Sequence, residues 1–412
     1  MNFEVLKRSH VKRNILIGVI IVLILSAIIL TFTRAKYKIT KSLPLVNGTI
    51  NYELSDFNLI GAYIQTEGDN YTQVDEIPTS GYEFNSEKSY CTVNDENINV
   101  TLSYDMETQN LTITPLTTKG TKCYLYFDEK LSAGDTILAS GNAPTGQTTD
   151  WTNNGQGVTY YYTGANLNNW VQFGEFWWRI IRINGDGSIR MIYQGTSANT
   201  TGTGTQIGTS AFNSSYNRSY YVGLVHDGSS QHGYGQPSTI MTTLNNWYNS
   251  NLASYEEDYI DTGAGFCSDR NLQSGSWSAT GSHNYAAYGR LYNKGSESAS
   301  LQCSDVDILS QDNGRLPNPI GLVTADEVAL AGVTWSNPQS SYLNTGQNYW
   351  TMSPSMSING FAGVFRVYSS GRLIDDRVNY SNGVRPVINL KANIAISSGN
   401  GSSDTPFVVL TS

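Results

Sequence analysis

Residues 14–33, NILIGVIIVLILSAIILTFT, form an uncharged, almost wholly apolar run of twenty side chains, and nothing else in the chain restricts its environment so strongly. As a helix rising about 1.5 Å per residue, twenty residues span roughly 30 Å, the hydrocarbon thickness of a bilayer. Lys7, Arg8, Lys12 and Arg13 precede the run, as in a secretory leader. The run is longer than a usual signal-peptide core, however, and no A-x-A cleavage site follows it. The sequence therefore predicts a cytoplasmic leader over 1–13, a transmembrane signal anchor over 14–33 with the lipid bilayer as partner, and a stalk over 34–44. Arg34, Lys36, Lys38 and Lys41 balance the leader charges, so the positive-inside count leaves orientation open.

The cysteines supply the orientation. Cys91, Cys123, Cys267 and Cys303 fall into two pairs, 32 and 36 positions apart, each within one candidate domain. Neither pair has C-x-x-C spacing, so zinc and redox motifs are not indicated; four unpaired buried thiols are the competing possibility. Local disulfides persist only in an oxidising compartment, which predicts that the bulk of the chain is extracytoplasmic. Charged residues make up 14% of the chain and the formal net charge is -9. Beyond residue 130 the lysines are Lys294 and Lys391, so no basic stripe is present to neutralise phosphates, and nucleic acid is excluded as an expected partner.

In NVTLSYDMETQNLTITPLTTKGTKCYLYFDEK, residues 99–130, the apolar positions Val100, Leu102 and Tyr104, Leu111 and Ile113, and Cys123, Leu125 and Phe127 alternate with polar neighbours at period two. Residues 45–130 are accordingly expected to form a small antiparallel β-sandwich of immunoglobulin-like type, tied by Cys91 and Cys123, that serves as a spacer. Residues 131–157, rich in Gly, Thr, Asn and Ser, read as a linker. A second domain is expected over 158–412.

That domain opens with GEFWWRIIRINGDGSIRMIYQG, residues 174–195. Trp178 and Ile180 share one face and Trp177, Ile181 and Ile183 the other, and after the turn Ile189, Met191 and Tyr193 alternate with Arg190 and Ile192. Such a hairpin is covered on both faces. An EF-hand-type calcium loop needs several spaced carboxylates, and a phosphate loop needs a helix after the strand, so N-G-D-G reads as a hairpin turn. Residues 238–260 carry helical spacing at Ile240, Leu244, Trp247 and Leu252. TADEVALAG, residues 324–332, offers a Thr324 cap with Glu327 three positions on. With strands returning over the last sixty residues, the expected class is α+β.

The order of WWRIIRINGDGSIRMIY, YGRLYN, LPNPIGLVTADEVALAG, YWTMSP and GVRPVINL across residues 160–392 resembles bacterial surface proteins with a C-type-lectin-like fold, related to the formylglycine-generating-enzyme superfamily. Thr324, Glu327, Trp350, Ser353, Gly383 and Arg385 are the matching positions. The resemblance implies a C-type-lectin-like domain over 158–412. It does not imply the superfamily's oxidation, since no cysteine follows Cys303, nor calcium-dependent sugar binding, since E-P-N and W-N-D are missing.

His10, His226, His232 and His283 are scattered, and VHDGSSQHGYG reads as a glycine-rich loop with incidental imidazoles. Asp375 and Asp376 read as a solvated turn, Arg385 as an anchor of the closing strand, and Trp177, Trp178 and Trp350 as core. No catalytic residue, cofactor or metal is expected. The loops between Ser355 and Asn382 are rich in Ser, Asn, Tyr and Arg, residue types that suit recognition. Tyr368, Arg372, Arg377, Tyr380 and Asn382 are thus the expected ligand-binding residues. The sequence reads as a membrane-anchored surface protein that binds an extracellular glycan or protein, or mediates adhesion. The alternatives are a divergent enzyme acting on cell-wall or glycan material, which would bring carboxylates together in a cleft, and a surface-layer subunit.

Overall fold

The structure, a computed structural model, describes residues 57–411 apart from 67, 79–80, 107, 116–119, 143, 150–156, 337–339 and 398. The leader, the apolar run over 14–33 and the stalk lie outside the described residues. Among the described residues no helix is long and apolar enough to cross a membrane.

Among the described residues, strand accounts for 37% and helix for 16%. This corrects the expected α+β arrangement of transmembrane helix, sandwich and lectin-like domain to a mostly β fold. The helical signals at 238–260 and 324–332 are real but condense into short elements, Thr239–Asn251 and Ala325–Leu330. The tyrosine- and β-branched-rich remainder goes to strands, whose pleated surface those side chains fit. The chain divides into two units after Lys130.

The first unit has a five-stranded sheet in the order Tyr71–Val74, Phe57–Gln65, Thr121–Glu129, Tyr82–Val93, Glu96–Ile98. Leu102, Tyr104, Leu111 and Ile113, from the hairpin Thr101–Asp105 and Asn110–Thr114, share a buried cluster with Cys123, Leu125 and Phe127 of the sheet, following the alternation read from sequence. Two features depart from the immunoglobulin-like antiparallel expectation. Phe57–Gln65 runs parallel to Thr121–Glu129. The Cys91–Cys123 disulfide joins directly opposed residues of neighbouring strands, with Cα atoms 4.1 Å apart, whereas the immunoglobulin bridge joins two sheets. On this sheet a ladder of tyrosines pairs across strands, Tyr63 with Tyr126 and Tyr90 with Tyr124, each with ring centroids 4.8 Å apart. Cross-strand aromatic pairs of this kind contribute about 0.5 to 1.5 kcal/mol each.

The second unit is built on two sheets. The larger is ordered Val387–Leu390, Ile189–Gly195, Phe176–Ile183, Trp170–Phe173, Phe407–Val409, Ile396–Ser397, with Thr159–Tyr161 and Gly146–Thr148 added beside Phe176–Ile183. The second is ordered Gly208–Ala211, Ser381–Val384, Tyr349–Ile358, Phe361–Tyr368, Arg372–Arg377. The expected hairpin is present as Phe176–Ile183 and Ile189–Gly195, and both of its faces are buried. Its turn closes with Gly187 N–H donating to Asn184 O, and Gly187 takes φ +82, a left-handed conformation that glycine tolerates.

The 131–157 stretch is not a free linker in its described part. Helix Ala133–Ala139, capped by Ser132, buries Ala133 and Ile137 in the core of the second unit, and Gly134 N–H donates to Gly187 O. A Cβ on Gly134 would lie 2.5 Å from Ile183 Cγ2, so the glycine marks close packing where the composition suggests looseness. The Cys91–Cys123 and Cys267–Cys303 bridges together suggest an extracellular or secreted protein.

Candidate functional site

Arg182 and Arg190 are register partners on the buried hairpin, so both side chains leave the same face. They converge on Glu327, with Arg182 Nε 3.0 Å and Arg190 Nε 2.6 Å from Glu327 Oε1, and all three side chains are almost fully buried. Glu327 also completes the predicted capping box, since its Oε2 accepts from Thr324 N–H and its own N–H donates to Thr324 Oγ1. Burial alone would raise the Glu327 carboxyl. Arg190, Arg182 and the Thr324 amide outweigh that effect and hold it below the usual carboxylate range.

One residue earlier on the same helix, Asp326 takes Arg290 bidentately, Nε to Oδ1 at 3.0 Å and Nη2 to Oδ2 at 2.8 Å, and accepts Ser300 N–H. The same Arg290 Nη2 donates to Asp269 Oδ2 at 2.6 Å. Asp269 has φ +43, unusual for a residue other than glycine, and is 8% exposed. Burial, offset only in part by Arg290, pushes its carboxyl up to about 7, with Asp326 and Asp307 adding to the rise. Burial disfavours charged Arg290, yet the two carboxylates more than compensate and hold it above its ordinary value.

The walls around this pair are braced. The Cys267–Cys303 disulfide joins them, and fully buried Asp307 gathers the loops on either side. Its carboxylate accepts from Ser268 Oγ, Arg270 N–H, Asn271 Nδ2 and Ser304 Oγ, and His232 Nδ1 lies 2.8 Å from it. Helix Ala286–Leu291 presents Ala286 and Arg290, four residues apart, on one face. Together these segments enclose an open bowl of about 490 Å³, lined by Asp269, Asn271, Arg290, Gln302, Cys303 and Ser304. Beneath it, among Arg182, Arg190, Asp326 and Glu327, lies a narrow chamber with room for about 20 Å³. The bowl offers amide, hydroxyl, carboxylate and guanidinium groups on a rigid frame, which suits hydrogen bonding to a polar ligand. Asp269 and Asp326 do converge in a cleft, but both are tied to one guanidinium nitrogen.

The five residues expected from sequence do not gather at one place. Arg372 and Arg377 are five positions apart on one strand, about 16 Å, and an odd offset puts them on opposite faces. At one end exposed Tyr368 stands opposite Arg372, whose Nε donates to Trp335 O. At the other, Arg377 lies over the Phe361 ring at 3.7 Å and faces exposed Tyr380. Asn382 is buried and holds the Arg366–Asp376 pair, accepting from Arg366 Nη1 and donating to Asp376 Oδ2.

Elsewhere, His226 is buried against Tyr220 and Tyr221, and burial followed by Arg270 pushes it below the usual imidazole value. Asp227 instead accepts the Ser229 and Ser230 amides, so the histidines of that loop do not share a site with it. Arg385 donates to Tyr193 O and Gln194 Oε1, the anchoring role expected of it. No group of three or more His, Cys, Asp or Glu side chains is placed to hold a metal ion among the described residues.

Sequence reading missed Asp269, Arg290 and Asp326. The available signal was the Cys267–Cys303 pair, which brackets Asp269 and Arg290 within one closed loop. No protein-family model, curated protein or solved structure matches the chain.

Proposed function

We propose that the chain is an extracytoplasmic binding protein whose second unit holds a glycan in the bowl over Asp269, Arg290 and Asp326. The observation that carries this reading is the bowl itself, an open space of about 490 Å³ with Asp269, Asn271, Arg290, Gln302 and Ser304 in its walls, braced in advance by a disulfide and a fully buried carboxylate. Gln302 offers an amide donor and acceptor at its rim and Asn271 Oδ1 an acceptor, the complement of a hydroxyl-rich ligand, while Asn271 Nδ2 and Ser304 Oγ are spent on Asp307. Binding rather than hydrolysis is favoured because general acid and base groups must be free to exchange protons with a substrate, and Asp326 is committed to Arg290 and Ser300.

A glycan array probed with the purified full chain tests the reading. Retention of a defined set of glycans is expected; retention of none would remove it. Attachment to a bilayer through residues 14–33 rests on the apolar run alone. Carbonate washing of membranes checks it, with the chain expected to stay in the pellet and release to the supernatant counting against attachment.

A further inference from the structure

The chamber beneath the bowl contains a donor that the protein leaves unused. Arg190 is 1% exposed and lines the chamber, and neither its Nε nor its Nη1 has a hydrogen-bond partner among the described residues. The guanidinium cannot swing away to find one. Its Nε is ion-paired with Glu327 Oε1, its Nη2 donates to Leu322 O and Glu327 Oε2, and its flat face lies 4.6 Å from the Phe266 ring centroid, so Nη1 is left with neither a hydrogen bond nor an ion pair among the described residues. A buried charged donor without an acceptor is unfavourable, so the site calls for an acceptor from outside.

Charge points the same way. Arg182 and Arg190 share the single carboxylate of Glu327, while Arg290 is bracketed by Asp326 and Asp269. The six formal charges balance only when Asp269 is ionised, and burial holds that carboxyl near 7. The Arg182–Arg190–Glu327 trio is thus positive throughout, and around neutral pH partial protonation of Asp269 leaves the six groups together with a fractional positive excess.

We propose that the bowl selects an acidic sugar, one oxygen of whose carboxylate enters the chamber and accepts the bond from Arg190 Nη1. The inference rests on the glycan reading above and narrows it to a ligand class. Room for about 20 Å³ fits one oxygen-sized atom, so the sugar ring stays in the bowl and only its acidic tip descends. A neutral hydroxyl could fill the space, but an ionised acceptor makes the stronger bond to a guanidinium. Entry of an anion is linked to the protonation of Asp269, whose charged neighbours are Arg290 on the 286–291 helix, Asp326 on the 325–330 helix and Asp307 on the facing loop. Affinity for the acid should thus rise as pH falls through about 7.

The test is calorimetry of the full chain with oligosaccharides of galacturonic, glucuronic and N-acetylmuramic acid, each as free acid and as methyl ester. At pH 6 the free acid of the preferred sugar is expected to bind about tenfold more tightly than its ester, the worth of one charge-assisted hydrogen bond. The preference should shrink at pH 8, and Arg190→Met should abolish it. If that variant does not fold, the pH series on the native chain still decides. Equal binding of acid and ester overturns the inference while leaving the glycan reading in place. A chain that retains no glycan on the array overturns the glycan reading itself.

Discussion

Asp269 and Glu327 sit about the same chamber and respond to pH in opposite senses. Asp269 is raised to about 7, so its contribution to stability is fully present below its unfolded value near 4 and is lost as pH rises through about 7. Asp269→Asn should flatten that loss. Denaturant unfolding between pH 5 and pH 8 is expected to show native stability falling by about 1 to 3 kcal/mol more than the variant's; parallel profiles would remove the assignment. Glu327 is depressed, so its contribution is present above its unfolded value and is lost as pH falls through the lower folded value. Glu327→Gln strands two buried guanidiniums and should cost about 3 to 5 kcal/mol at pH 7. At this scale the sequence showed half of what Glu327 does. Its capping role is local and readable, whereas Arg182 and Arg190 arrive from 145 and 137 positions away.

Among elements, the hairpin over 176–195 was legible because its alternation and its N-G-D-G turn are both short-range signals. The helix over 133–139 was not, because glycine, serine and threonine mark a flexible connection and a close backbone approach alike. Two glycines separate these meanings. Gly187 and Gly141 have φ +82 and +78, but a Cβ on Gly187 would lie 2.5 Å from Ser132 Oγ, while nothing lies within 4 Å of one on Gly141. Gly141→Ala should cost about 1 kcal/mol from backbone strain alone. Gly187→Ala should cost roughly 1 to 2 kcal/mol more, because it also presses on the helix cap. Equal losses in thermal melts would mean that the helix does not dock on the turn.

For the whole molecule, cysteine separation was enough to pair the disulfides, since each closes a local loop. The parallel alignment of Phe57–Gln65 with Thr121–Glu129 left no such trace, because its partners are far apart in sequence and strand direction is not written in alternation. The bowl was hidden for a related reason: it is assembled from loops whose polar composition reads as surface until Asp307 and the disulfide draw them together. Replacing Cys267 and Cys303 by serine should therefore lower stability by about 3 to 4 kcal/mol, measured by denaturant unfolding, and weaken ligand retention as the walls loosen. The most direct measurement of where the ligand sits compares two full-chain variants on the glycan array. Gln302→Trp fills the bowl from an exposed rim position, and the Arg377→Ala, Tyr380→Ala pair strips the surface patch. The cleft account predicts that Gln302→Trp abolishes glycan retention while the double variant keeps it, and the reverse pattern would contradict it.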